Sequence, residues 1–215
     1  SSLVGSEMCI RDSPSVLYNA ETQKFVLWFH LDNLRYTRAE VGLAVSNTPT
    51  GPFTYMGSQR PGSHDSRDFT AFQDRDGRAY LFCSSDWNAT MRVWELDKTY
   101  TKLTGSGKEI LIDQAREAPA LWHSGEKYLM FSSGCTGWSP NTMLYAESST
   151  IFGSWWLIDD PAAVPARAGP SVRRAPRCLP QMVSLTFCLT TGSRTICAIR
   201  ATRFCPSPLK TACLR

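Results

Sequence analysis

A basic residue followed at once by an aromatic and aliphatic run recurs three times along this 215-residue chain. Lys24 opens Phe25-Val26-Leu27-Trp28-Phe29, Arg78 opens Ala79-Tyr80-Leu81-Phe82, and Lys127 opens Tyr128-Leu129-Met130-Phe131, at spacings of 54 and 49 residues. Each run has the composition of a β-strand. After each comes a polar segment and then a second strand: Val41–Val45, Met91–Leu96 and Met143–Glu147. Turn chemistry separates them at Thr48-Pro49-Thr50-Gly51-Pro52, Asp74-Arg75-Asp76-Gly77 and Ser124-Gly125-Glu126. Two units close on similar phrases, Gly51-Pro52-Phe53-Thr54 and Gly153-Ser154-Trp155-Trp156. No amphipathic helix of ten or more residues is readable. A unit near 50 residues with several short strands points to an all-β propeller blade. An irregular β-sandwich, which also uses short strands and regular turns, is the alternative.

The repeat does not run to the end of the chain. Residues 1–160 hold all 19 acidic residues, 14 of the basic ones, and every Trp and Tyr. Residues 161–215 hold nine basic residues, no acid and five of the eight cysteines. A folded domain ordinarily mixes both signs of charge, so the two stretches are not one homogeneous domain. The basic pI of about 8.6 therefore carries no argument for nucleic-acid binding. No apolar run reaches the roughly 18 residues of a membrane span, and the N-terminus does not read as a signal peptide. Cys83 and Cys135, in the patterned region, read as buried reduced thiols.

Two carboxylates stand out by context. Asp68 lies in His64-Asp65-Ser66-Arg67-Asp68-Phe69-Thr70, just before a hairpin. Glu117 lies in Arg116-Glu117-Ala118-Pro119-Ala120-Leu121-Trp122, among small and apolar neighbours. A carboxyl group in such a setting has a raised pKa and holds a proton to donate, and a second carboxylate nearby tunes it. Sugars need this chemistry, with aromatic rings to stack on. Tyr36, Trp87, Trp122 and Trp138 are the candidate platforms. Each residue alone has a plainer reading: a turn cap for Asp68, a solvated ion pair with Arg116 for Glu117, and core packing for the tryptophans.

Taken in order, His64-Asp65-Ser66-Arg67-Asp68, then Phe72-Gln73-Asp74-Arg75-Asp76-Gly77-Arg78-Ala79-Tyr80, Arg116-Glu117-Ala118-Pro119-Ala120 and Ser133-Gly134-Cys135-Thr136-Gly137-Trp138-Ser139-Pro140-Asn141 resemble glycoside hydrolase family 43. The likeness is to its exo-β-1,3-galactanase-like branch and spans about Pro14 to Trp156. It implies a five-bladed β-propeller, of which about three blades are recognisable here. It implies cleavage of glycosidic bonds with inversion, Glu117 as general acid, and Asp68 as the carboxylate that tunes and orients it. Tyr36, Asn88, Thr136 and Trp138 fall where the resemblance places substrate contacts. It implies no cofactor. A structural Ca²⁺ at the propeller axis would fit the resemblance, but no ligand set is readable.

The sequence departs from the family pattern in three places. No Gln motif for the branch's base is visible. The aligned position of a family Glu reads Asp12-Ser13-Pro14-Ser15, ahead of Val16-Leu17-Tyr18-Asn19. A whole propeller needs roughly twice the patterned length, so a first blade is expected to be missing. Residues 1–13 resemble a translated sequencing adapter, residues 14–160 a partial catalytic propeller, and residues 161–215 an out-of-frame tail that is mostly irregular. Reading the third base of each codon with the first two of the next permits, across Thr186–Thr202, a peptide that resembles the family's last-blade phrase. The same shift permits Gln-Ser-Thr at Arg174-Ala175-Pro176. The frame change is expected between about Leu157 and Arg173.

The sequence thus points to a secreted or periplasmic monomeric hydrolase of β-1,3-galactan side chains, impaired in this chain. Its partner is a polysaccharide or oligosaccharide, with no nucleic acid and no membrane. Asp65 is a candidate substitute base, though its place in the loop fits a structural cap better. A non-catalytic carbohydrate-binding propeller and a kelch-like protein-interaction propeller are the alternatives.

Overall fold

In the computed structural model the described residues are 9–10, 14–33, 35–137, 139, 141–158, 187–191 and 194–198, the side chains of 9–10 and 187–198 excepted. They form three sheets, and no α-helix occurs among them. The first sheet contains β1 (Cys9–Ile10), β2 (Ser15–Asn19), β3 (Lys24–Asp32), β4 (Glu40–Ser46) and β5 (Phe53–Gln59). The second is β6 (Phe69–Gln73), β7 (Ala79–Ser85), β8 (Thr90–Leu96) and β9 (Leu103–Ile110). The third is β10 (Arg116–Ser124), β11 (Lys127–Gly134), β12 (Leu144–Ser148) and β13 (Trp156–Leu157). The last two are four-stranded antiparallel meanders, each strand paired with its neighbour in sequence. This is the blade form expected from the repeat. In the tail, β14 (Phe187–Thr191) and β15 (Arg194–Ala198) pair antiparallel, and β14 joins β5 in parallel. The rest of the tail lies outside the described residues.

The three repeated runs are β3, β7 and β11, the second strand of each sheet. In β3 and β7 the run is continuous because both faces of the strand are covered: all seven residues of β7 and the last seven of β3 are buried, whereas β11 is mostly half-buried. One core joins the first two sheets through Leu17, Val26, Trp28, Val41, Phe69, Leu81 and Cys83. A second joins the next two through Tyr80, Phe82, Met91, Val93, Met130, Ala146 and Trp155. The similar closing phrases have a shared use. Phe53 and Trp155 follow their glycine turns directly and are both buried.

The first strands of the sheets, β2, β6 and β10, lie side by side. Ser15 Oγ accepts from the backbone N–H of Ala71 at 3.2 Å, and Ser84 Oγ donates to the Arg116 carbonyl at 2.7 Å. At the seam between the second and third sheets, Asp74 in the β6–β7 hairpin turn is buried. It accepts from Tyr128 Oη at 2.5 Å and from the Arg75 N–H at 2.7 Å, and His123 Nδ1 lies 2.6 Å away. The His123 and Tyr128 rings stack at 4.1 Å. Burial works to raise the Asp74 pKa, but these donors and the His123 charge hold it below the ordinary carboxylate value.

Candidate active site

Asp68 is the residue before β6, and Glu117 is the second residue of β10. Each of two adjacent sheets thus carries a carboxylate at the beginning of its first strand. The chain around Asp68 is fixed by backbone bonds: its carbonyl accepts the Ser84 N–H at 2.8 Å. Glu117 sits at a bulge. The β10–β11 register runs Arg116↔Gly134 and Glu117↔Ser133, then shifts before Ala120↔Phe131, with Ala118 at φ 50°. A bulge re-aims a side chain without ending the strand, and here it also lets Pro119 sit inside a strand. Arg116 does not pair with Glu117 as a surface ion pair would. Its guanidinium is buried and donates through Nε to Ser132 Oγ at 3.1 Å.

Asn88 Nδ2 donates to Glu117 Oε2 at 3.1 Å. Its residue is held in the left-handed region at φ 68° by the turn after β7. The Asn88 Oδ1 atom is buried without a hydrogen-bond partner. Burial, and then the Asp68 charge, raise the Glu117 pKa above the ordinary carboxylate value, against weaker opposing effects of Cys135 and Arg116. Both effects work toward the protonated form of Glu117. That is the electrostatic requirement of a general acid.

Asp65 is otherwise engaged. Its Oδ1 accepts the Asp86 N–H at 2.7 Å, its Oδ2 the Trp87 N–H at 3.1 Å, and Arg67 Nε lies 3.3 Å away. It caps the loop that carries Trp87 and Asn88, the structural role expected of it. Trp87 is 71% exposed, with the Arg67 guanidinium 3.7 Å from its ring centroid. Tyr36, in the β3–β4 loop at φ 55°, is joined to this region through its carbonyl, which accepts from Arg67 Nη2 at 3.4 Å. Thr136 lies in the exposed loop after β11. Its Oγ1 donates to the Ser139 carbonyl at 2.6 Å and accepts from Asn141 Nδ2 at 2.6 Å. Trp122 is exposed, but it stands five residues along β10 from Glu117, about 15 Å away at strand rise, so it is not brought into the site. Trp138 lies outside the described residues.

One expectation needs revision, and one residue gains a role. Cys135 is not buried like Cys83: it is exposed, in the loop that leaves β11. Asn141 was not singled out, yet it organises this loop, its Oδ1 accepting the Gly134 N–H at 2.8 Å and its Nδ2 donating to the Gly134 carbonyl at 2.7 Å. The signal was present as Asn after Ser-Pro, a turn-forming order. Among the described residues no group of three or more His, Cys, Asp or Glu is placed to hold a metal ion.

The family model of the glycosyl hydrolases family 43 matches residues 16–173. A solved β-1,3-galactosidase of that family is 38% identical, with a TM-score of 0.69, covering 71% of this chain and 32% of that one. The exo-β-1,3-galactanase from Phanerochaete chrysosporium, solved with β-1,3-galactotriose, is 35% identical with a TM-score of 0.64, over 68% of this chain and 35% of that one. An exo-β-1,3-galactanase from Clostridium thermocellum is 36% identical with a TM-score of 0.65, over 67% and 34%. This chain spans about a third of the length of these three structures. A search among curated proteins found no match.

Proposed function

Because the chain belongs to glycosyl hydrolase family 43, we propose that it serves the hydrolysis of β-1,3-linked galactan, with Glu117 as general acid and Asp68 as the residue that sets its proton affinity. One observation carries this reading. Glu117 is a desolvated carboxyl facing a second carboxylate, with an amide donor from a third loop on its Oε2. The β-1,3-galactan substrate is supported by the names of the similar structures.

The geometry suits the following sequence. Glu117 protonates the glycosidic oxygen as the bond to the anomeric carbon breaks. The charge of Asp68 keeps that proton on Glu117 until the leaving oxygen takes it. Asn88 fixes the carboxyl rotation through Nδ2 and offers the unpaired Oδ1 to a sugar hydroxyl. Water attacks the anomeric carbon from the opposite face, and in inverting sites the base stands roughly 6.5–9.5 Å from the acid to admit it. No described residue is assigned as that base, since Asp65 is held by two backbone N–H groups and Arg67.

A frame change after the third sheet accounts for the missing base. The family match runs to residue 173, so within this reading the frame change lies at the downstream end of the interval read from the codons. The test is to restore the frame by one insertion or deletion between codons 157 and 173 and to measure galactose release from β-1,3-galactan. The restored chain should release galactose, and the present chain should bind galactotriose with little release. Full activity after Glu117→Gln in the restored chain would remove the acid assignment.

A further inference from the structure

The loop after β7 carries three successive non-glycine residues in the left-handed region: Asp86 at φ 53°, Trp87 at φ 57° and Asn88 at φ 68°. L-residues rarely hold that conformation one after another. Here the surroundings impose it. Asp65 accepts the N–H groups of Asp86 and Trp87, Arg92 Nη1 donates to Asp86 Oδ2 at 2.7 Å, and the Ala89 N–H returns to the Asp86 carbonyl at 3.1 Å. The turn sets two unlike groups side by side. The Asn88 amide reaches the acid, with its buried Oδ1 left unpaired. One residue earlier, the Trp87 ring is largely exposed. One face of that ring is covered by the Arg67 guanidinium, 3.7 Å from the centroid. Arg67 is itself fixed. Its backbone N–H donates to the Ser84 carbonyl at 2.9 Å, and its side chain is held by Asp65 and the Tyr36 carbonyl. The ring therefore offers one flat, braced, solvent-facing surface, rooted one residue from the contact with Glu117. The hydrolytic steps leave that surface unused.

We propose that Trp87 is a specificity-determining residue, the platform on which the leaving galactose stacks, and that it selects the 1,3-linkage. The proposal deepens the galactan reading and rests on it. A general acid stands on the leaving-group side of the bond it protonates. A surface rooted beside the acid's amide partner therefore meets the leaving sugar. The stereochemistry of galactose does the rest. Its axial O4 makes one ring face polar and leaves C3–H, C4–H and C5–H together on the other. The negative π face of an indole attracts such a cluster of C–H groups. In a 1,3-linked chain the leaving oxygen is the equatorial O3, at the edge of the C–H face. The sugar can then lie on Trp87 and still present O3 to Glu117. In a 1,4-linked chain the leaving oxygen is the axial O4, which points away from the indole when the same face is stacked. Stacking and protonation then compete.

The test is calorimetric binding of three sugars to the full chain, without turnover: β-1,3-galactotriose, β-1,4-galactotriose and galactose. The full chain should prefer the 1,3-linked trimer. Trp87→Ala should weaken that trimer about tenfold and remove most of the preference. Galactose has no leaving sugar, so its affinity should stay unchanged. Trp87→Phe retains a ring and should keep most of the binding. Trp87 is exposed, so the urea midpoint of the Ala variant should match that of the parent chain, which separates lost stacking from lost folding. A 1,3-preference that survives Trp87→Ala, an equal loss for galactose, or a full chain that does not bind β-1,3-galactotriose would overturn the proposal. The hydrolytic reading fails separately. A frame-restored chain that keeps this Trp87-dependent preference and releases no galactose would count against hydrolysis and leave the platform standing.

Discussion

Asp74 and Glu117 are both desolvated carboxyl groups at the seam between the second and third sheets, and they are driven in opposite directions. Asp74 receives the Tyr128 hydroxyl, the Arg75 N–H and His123, and its pKa falls. Glu117 receives one amide donor and feels the charge of Asp68, and its pKa rises. Burial pushes both upward, so burial alone does not set proton affinity. The number of donors and the sign of the neighbouring charge decide it. One seam thus holds a carboxylate that joins sheets and the carboxyl group proposed as the proton donor.

The contrast can be broken from either side. The largest effect belongs to the acid: in a frame-restored chain, Glu117→Gln should cut galactose release by about 10²–10⁴-fold, measured as initial rate. Next, Asp74→Ala should destabilise the fold by about 3 kcal/mol, since it leaves Tyr128 and His123 without their buried partner. A lower urea midpoint with an unchanged slope would show this. The two groups should also differ in how stability follows pH. The folded pKa of Asp74 is lowered, so its contribution is present above the unfolded value near 3.8 and is lost as acid titrates the folded form. The folded pKa of Glu117 is raised, so its contribution is present below about 4.5 and is lost as pH rises through the folded value. Glu117→Gln should therefore raise the melting temperature at neutral pH relative to its effect at pH 4. Asp68→Asn should move the Glu117 titration midpoint downward, because a like charge is removed, and an unmoved midpoint would separate the two carboxylates. Asn88→Ala is the mildest change, costing about 1 kcal/mol of galactotriose binding for one hydrogen bond, readable by calorimetry.

The repeat made the second and third strands of each sheet legible, because their aromatic, aliphatic and β-branched residues follow a turn at regular spacing, most strongly in β7, which is buried throughout. It did not reveal β6 and β10 as strands. Phe69-Thr70-Ala71-Phe72-Gln73 is short and mixed, and Pro119 reads as a breaker until the bulge at Glu117 is seen to absorb it. Strand β9 was hidden by Gly105 and Gly107. The second is needed because the Trp94 ring occupies the space a Cβ would take. Asp68, Glu117 and Asn88 were readable through ordered motifs, and the structure brings the last two into contact. The exposure of Cys135 was not readable, since cysteine composition argues for burial and only the loop after β11 decides otherwise.

Asp68 and Glu117 ride on different sheets, and the hydrogen bond from Ser84 Oγ to the Arg116 carbonyl helps set how far apart those sheets stand. The repulsion between two charges falls with their separation. The strength of the acid is therefore a function of sheet spacing, and the proton on Glu117 works as a strain gauge. Substrate or temperature that pries the sheets apart makes the acid less ready to hold its proton, and a tighter seam makes it hold on longer.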